Sequence, residues 1–145
     1  KEADKRWYLV GWCEQRKQVR VYGLDRIFSL TVTDARFKMP DDFDVDGLFA
    51  SCYGVYLPDS DQRPEKVIFK ASAAEAKYLK DLPLHPSKTL ISEDKWNATF
   101  SMLVCVNNKL IMDLLARGPR IEVISPASLR ETIKDEIKKT LQLYE

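Results

Sequence analysis

Tyr8, Arg20, Tyr22 and Arg26 are the residues of this chain whose types and spacing could do chemistry. Arg20 and Tyr22 lie two residues apart, so they share one face of an extended segment, and Arg26 follows just past its end. Tyr8 falls in a neighbouring extended segment. A guanidinium fork binds phosphate through paired N–H groups, and an aromatic face stacks a base. The four residues are therefore a candidate cradle for an anion or a nucleotide. Spacing alone leaves a second reading open: an ordinary exposed strand face, with Arg26 paired to Asp25 or Glu14.

Other chemistry is thinly represented. His85 is the single histidine, set in Leu84-His85-Pro86-Ser87, and any Ser–His–acid or Cys–His site would have to use it. No GxSxG turn or cysteine elbow accompanies it. A structural or surface role for His85 is expected, and no catalytic residue is assigned. One histidine and three scattered cysteines (Cys13, Cys52, Cys105) do not supply a metal's ligand set. The acidic run Asp41-Asp42-Phe43-Asp44-Val45-Asp46 lacks the turn glycine and terminal glutamate of a calcium loop. No Gly-rich phosphate loop occurs. Neither a metal nor a cofactor is expected.

The elements that must position the candidate residues follow from periodicity. Residues 6–11 alternate as a strand, entered by a turn at Asp4-Lys5 and left through a polar hairpin loop at Glu14–Gln18. Val19–Leu24 is a second strand, with Gly23 marking a bulge or a close backbone approach. Phe28–Thr33, rich in β-branched residues, reads as a third. A short helix is expected from Val45 to Ser51. Pro58–Pro64 is polar and bracketed by prolines, and so reads as a boundary.

Beyond it the order becomes β-α-β-β-α-β-α. Lys66–Ser72, Thr89–Ser92, Thr99–Val106 and Arg120–Ile124 are the strands. Ser72-x-x-Glu75 has the form of a capping box at the head of a helix reaching Leu82. Asn107 is placed to cap a helix over 108–117 that Gly118 ends. Ser125-Pro126 looks like an N-cap followed by a first-turn proline, opening a last helix to about Leu143. This order matches a split βαβ, ferredoxin-like domain with one added helix.

Two stretches now carry a resemblance. Arg6-Trp7-Tyr8-Leu9-Val10-Gly11, followed by Arg20-Val21-Tyr22-Gly23-Leu24-Asp25-Arg26-Ile27, closely resembles the WYL domain, named for its Trp-Tyr-Leu triplet. Phe43-Asp44 and Phe49–Tyr56 look like that domain's closing segment. Residues 65–145 are similar to the C-terminal extension (WCX) that commonly follows it. The resemblance implies an α+β chain: the C-terminal portion of an Sm-like, SH3-type β-barrel over 1–57, a linker at 58–64, and the ferredoxin-like extension over 65–145. It further implies an effector-sensing and dimerisation module of a bacterial helix-turn-helix transcription regulator. The expected partners are a second copy in a homodimer, a nucleotide or single-stranded nucleic acid as effector, and operator DNA through a separate N-terminal domain. Tyr8, Arg20 and Arg26 match family positions tied to the basic ligand cleft, whereas Trp7, Leu9 and Leu24 match positions that pack the barrel. Gly23 departs from the pattern, since many relatives carry a larger side chain there. A ligand-free interaction module is the alternative.

Composition bounds these readings. With 145 residues, 45% hydrophobic and 31% charged, the chain suits one mid-sized domain or two small ones. Its formal net charge of +1 gives no global electrostatic case for nucleic acid. Charge is uneven, however. Lys1, Lys5, Arg6, Arg16, Lys17, Arg20 and Arg26 outnumber Glu2, Asp4, Glu14 and Asp25 in the first 26 residues. No secretory signal or membrane-spanning run is present, and an odd number of widely separated cysteines fits a reducing cytoplasm. An apolar strand begins within six residues of Lys1, so the chain is expected to be an excised fragment, and the resemblance implies that the first strands of its barrel are missing.

Overall fold

The computed structural model describes every residue from Lys1 to Glu145 except Met39 and Ser60; Ser60, inside the expected linker, therefore lies outside the described residues. The chain divides into two compact units, Lys1–Leu57 and Pro58–Glu145.

The first unit is built on a three-stranded antiparallel sheet, β1 (Glu2–Ala3), β2 (Arg6–Cys13) and β3 (Gln18–Gly23), in that order. Asp4 and Lys5 join β1 to β2 with φ of 50° and 62°. Left-handed values at both central residues suit a two-residue hairpin, because that turn matches the twist of its strands. The polar loop between β2 and β3 closes with Lys17, also left-handed at φ 50°. A single 3₁₀ turn (Leu24–Arg26) follows, and the short helix α1 (Val45–Phe49) comes later in the unit.

Two expectations fail in this unit. Phe28–Thr33 forms no strand: among the described residues it has no ladder partner, and Phe28, Leu30 and Val32 are almost fully exposed. β-propensity describes how a side chain fits a pleated, half-buried surface, and without a neighbouring strand it has nothing to act on. Trp7, Leu9 and Leu24 do not pack a barrel interior either; each is about half exposed or more. A three-stranded sheet buries a face only where another layer covers it. The buried apolar residues here come instead from the segment after α1: Cys52, Tyr53 and Val55.

The second unit has the expected element sequence: β4 (Glu65–Ser72), α2 (Ala73–Asp81), β5 (Thr89–Glu93), β6 (Asn97–Val104), α3 (Asn108–Leu115), β7 (Ile121–Ser125) and α4 (Ala127–Gln142). Its four strands form one antiparallel sheet in the order β5-β6-β4-β7. Phe69 of β4 sits opposite Phe100 of β6 and Val123 of β7, so the alternate residues of three strands share a face. Val67, Phe69, Ala71, Phe100 and Met102 on that face are almost wholly buried, and the two phenyl rings stack with centroids 5.6 Å apart. α2 packs on β4 and β6, and α4 lies along β7 and against α3. Ala76 and Leu79 of α2, Leu110 and Leu114 of α3, and Leu129 of α4 complete the core. The apolar stripe of α4 outruns it, leaving Ile137 and Leu141 more than half exposed.

Helix ends show where local chemistry decided and where it did not. Asn107 caps α3, its side-chain oxygen accepting from Leu110 N at 3.0 Å. Ser72 caps α2, accepting from Glu75 N at 3.4 Å. The expected return bond from the Glu75 side chain does not form. Its carboxylate is buried and receives Arg117 and Arg120, the latter at 2.9 Å, from either end of the 3₁₀ turn Gly118–Arg120. α4 begins one residue later than expected: Pro126 is itself the cap, because its ψ of 161° keeps it extended. Among the described residues, no helix is long and apolar enough to cross a membrane.

Candidate functional site

Register fixes which candidate residues meet. Tyr8 pairs with Gly23 and Val10 with Val21, whereas Leu9 pairs with Tyr22 and Gly11 with Arg20. Directly paired residues project to the same side of an antiparallel sheet. Tyr8 therefore shares a face with Gly23 and Val21, and Arg20 and Tyr22 lie on the opposite face. The four residues singled out by spacing do not converge as one set.

Tyr8 and Arg26 do come together. They line a cleft of about 150 Å³ with Arg6, Val21, Gly23, Val55 and Tyr56. Arg6 reaches Asp25 with a hydrogen-bonded ion pair of 2.5 Å, and its guanidinium also sits 5.7 Å from the centre of the Tyr8 ring. That pairing holds the Asp25 carboxyl below the usual carboxylate range and raises the Arg6 guanidinium. Gly23 makes the arrangement possible. A Cβ built there would stand 2.8 Å from Asp25 Oδ1 and 3.5 Å from the Arg6 terminal nitrogen, so the ion pair crosses the bare strand end. Of the bulge or close backbone approach expected at Gly23, what the structure has there is a close approach by side chains, those of Asp25, Arg6 and Arg26.

Arg26 has neither of the partners that an ordinary exposed face would give it. Asp25 is taken by Arg6, and Glu14 by Lys17 at 2.7 Å. Among the described residues Arg26 makes no hydrogen bond or ion pair, and feels Asp25 only as a weaker charge. The cleft thus brings two guanidiniums, one of them paired to Asp25, together with the phenol rings of Tyr8 and Tyr56. Such a set can take a negatively charged oxygen and lay a flat ring against an aromatic face.

On the other face, Tyr22 shares a hydrogen bond with Cys13, which pushes the thiol down and the phenol up, with Arg20 adding a smaller pull on the thiol. Spacing missed Arg6 and Tyr56. Arg6 is two residues from Tyr8, so strand alternation was signal enough to place it beside that ring. Tyr56 carries no local signal, because the chain brings it back from about thirty residues past β3.

His85 is buried, with Nδ1 2.7 Å from Ser87 Oγ. Ser87 Oγ donates to Leu103 O at 3.1 Å and accepts from Leu103 N at 2.9 Å. Ser87 thus fastens the α2–β5 loop to β6, and His85 is buried against Ser87 and not on the surface. Among the described residues no cluster of three or more His, Cys, Asp or Glu side chains could hold a metal ion, and no disulfide joins Cys13, Cys52 and Cys105.

A two-unit α+β chain with a basic, aromatic-walled cleft beside β2 and β3 is thus what the fold and the site define. The family models for the WYL domain and the WCX domain match residues 2–32 and 63–141 respectively. The second match spans more than half of the chain, which therefore belongs to the WCX family and carries a WYL-domain segment ahead of that domain. No curated protein matches it. Among solved structures it is similar to proteasome accessory factor B/C (PafBC) of Arthrobacter aurescens, at 19% identity and a TM-score of 0.40. That match covers 88% of this chain and 19% of the other, so the chain spans about a fifth of that protein's length.

Proposed function

We propose that this chain is the effector-sensing and dimerisation module of a bacterial transcription regulator of the WYL class, acting in the cytoplasm without catalysis. Its effector is a nucleotide or a short single-stranded nucleic acid, and operator DNA is left to a separate helix-turn-helix domain. On this reading residues 1–57 are the C-terminal portion of an Sm-like barrel, 58–64 a linker, and 65–145 a ferredoxin-like domain. The β-α-β-β-α-β order and the β5-β6-β4-β7 sheet support the last assignment.

One observation carries the ligand proposal: among the described residues Arg26 stands unpaired, in a cleft with Arg6, Tyr8 and Tyr56. A cation without a partner at a concave aromatic surface suits a phosphate with a base beside it. The binding set is accordingly Tyr8, Arg26, Arg6 and Tyr56, with Arg20 and Tyr22 outside it. Fluorescence anisotropy with a labelled oligothymidine tests this. Arg26→Ala and Tyr8→Ala are each expected to weaken binding about tenfold, since stacking on one aromatic side chain is worth roughly 1–3 kcal/mol. Arg20→Ala, on the other face, is expected to bind as the parent does. Unchanged affinity in both Arg26→Ala and Tyr8→Ala would remove the ligand. It would leave a ligand-free homodimerisation module, which the exposed apolar residues of α4 and of 28–32 favour.

A further inference from the structure

We propose that the second unit holds a separate binding site for a small organic monoanion, a carboxylate with an apolar body, in the cleft between α2 and the 3₁₀ turn Gly118–Arg120. The cleft measures about 420 Å³ and is lined by Ala74, Glu75, Tyr78, Leu82, Arg117 and Arg120. That volume falls within the span of small-molecule sites.

Charge defines what it takes. Glu75 is buried and serves two guanidiniums, receiving one terminal nitrogen of Arg117 and the Nε of Arg120. Each guanidinium has five N–H donors, so one carboxylate leaves both with donors to spare. Arg117 Nε is buried and has no hydrogen-bond partner. A buried donor without an acceptor is destabilising, and an incoming oxyanion lets the guanidinium turn and satisfy it. Arg120 is more than half exposed, and its terminal nitrogens make no hydrogen bond among the described residues. Two positive charges against one negative leave a net charge of one, which suits a monoanion.

The remaining walls define the body of the ligand. Tyr78 and Leu82 are largely exposed and stand on the same rim as the arginines. Their separation of four residues puts both on one side of α2 and its C-terminal end, where an apolar ring can lie across them. A bare inorganic anion would use the guanidiniums and leave this surface wet.

Titration of the full 145-residue chain with sodium benzoate, followed through the arginine Nε–H signals, tests the site. Saturable shifts of the Arg117 and Arg120 signals are expected, with half-saturation near or below about 1 mM for so small a ligand. Arg120→Gln should weaken this at least fivefold. Tyr78→Ala should weaken benzoate but not acetate, and it keeps the test open if Arg120→Gln fails to fold. Arg26→Ala, in the other unit, should leave benzoate binding unchanged, so failure of the two sites can be told apart. The proposal is overturned by shifts that sodium chloride reproduces, by shifts that never saturate, or by parent-like benzoate binding in both Arg120→Gln and Tyr78→Ala.

Discussion

At the scale of single residues, the Arg6–Asp25 pair gives the first cleft its electrical character. Both side chains are roughly half exposed, so the pair contributes little to stability. Its effect is on the ligand, because Asp25 cancels one of two guanidiniums. The Asp25 carboxyl is held below the usual range, chiefly by the hydrogen bond from Arg6. A carboxyl depressed in the folded state stabilises the fold above its unfolded pKa, and that contribution is lost as pH falls through the folded value. Protonation in that acid window also removes the negative charge paired with Arg6 beside the cleft. Oligothymidine, whose base does not protonate there, should therefore bind the parent more tightly as pH drops below the ordinary carboxylate range. Asp25→Asn should bind about threefold more tightly at neutral pH, the effect of one unit charge several ångströms away in a mostly aqueous setting, and should lose the acid dependence. Anisotropy across pH checks both. Equal affinity and equal pH profiles for parent and Asp25→Asn would show that this carboxylate does not face the ligand.

At the scale of elements, the second unit was largely legible and the first was not, and the reason is what each segment packs against. β4, α2, β6 and α3 announce themselves because their apolar residues recur at the period of the element and find a layer to bury in. Phe28–Thr33 has equal β-propensity but no partner, so propensity misleads. The same contrast holds for the candidate site. Alternation along β3 places Arg20 and Tyr22 together, yet which strand face meets Tyr8 is a matter of register, which residue spacing within one strand does not encode. Ser72-x-x-Glu75 shows a subtler limit. The motif marks the start of α2 correctly, but the glutamate turns to two arginines more than forty residues away, a charge pairing that overrides a local cap. Removing that carboxylate leaves two cations partly buried around nothing. Glu75→Ala should then cost about 2 kcal/mol, below the full value of a buried pair because Arg120 remains well exposed. Ser72→Ala, losing a long cap bond, should cost about 0.5 kcal/mol. Urea unfolding of the two variants decides the matter: equal losses would mean that Glu75 acts as a cap after all.

At the scale of the whole molecule, a formal net charge of +1 gives no global electrostatic case for nucleic acid. Any binding must come from local charge, and the first cleft offers only two guanidiniums, one of them engaged by Asp25. This sets a ceiling on salt dependence. For single strands, log affinity falls with log salt by about 0.7 for each phosphate neutralised, so two arginines allow a slope of about −1.4 and no more. Arg26→Ala should reduce it to about −0.7, while Arg20→Ala should leave it unchanged. Tyr8→Ala should weaken binding at every salt concentration without changing the slope, because stacking releases no counterions. A parent slope of roughly −3 or steeper would mean that cations beyond the cleft, Lys5, Arg16, Lys17 and Arg20 among them, grip the strand. The ligand would then lie across the sheet and not in the cleft beside Gly23.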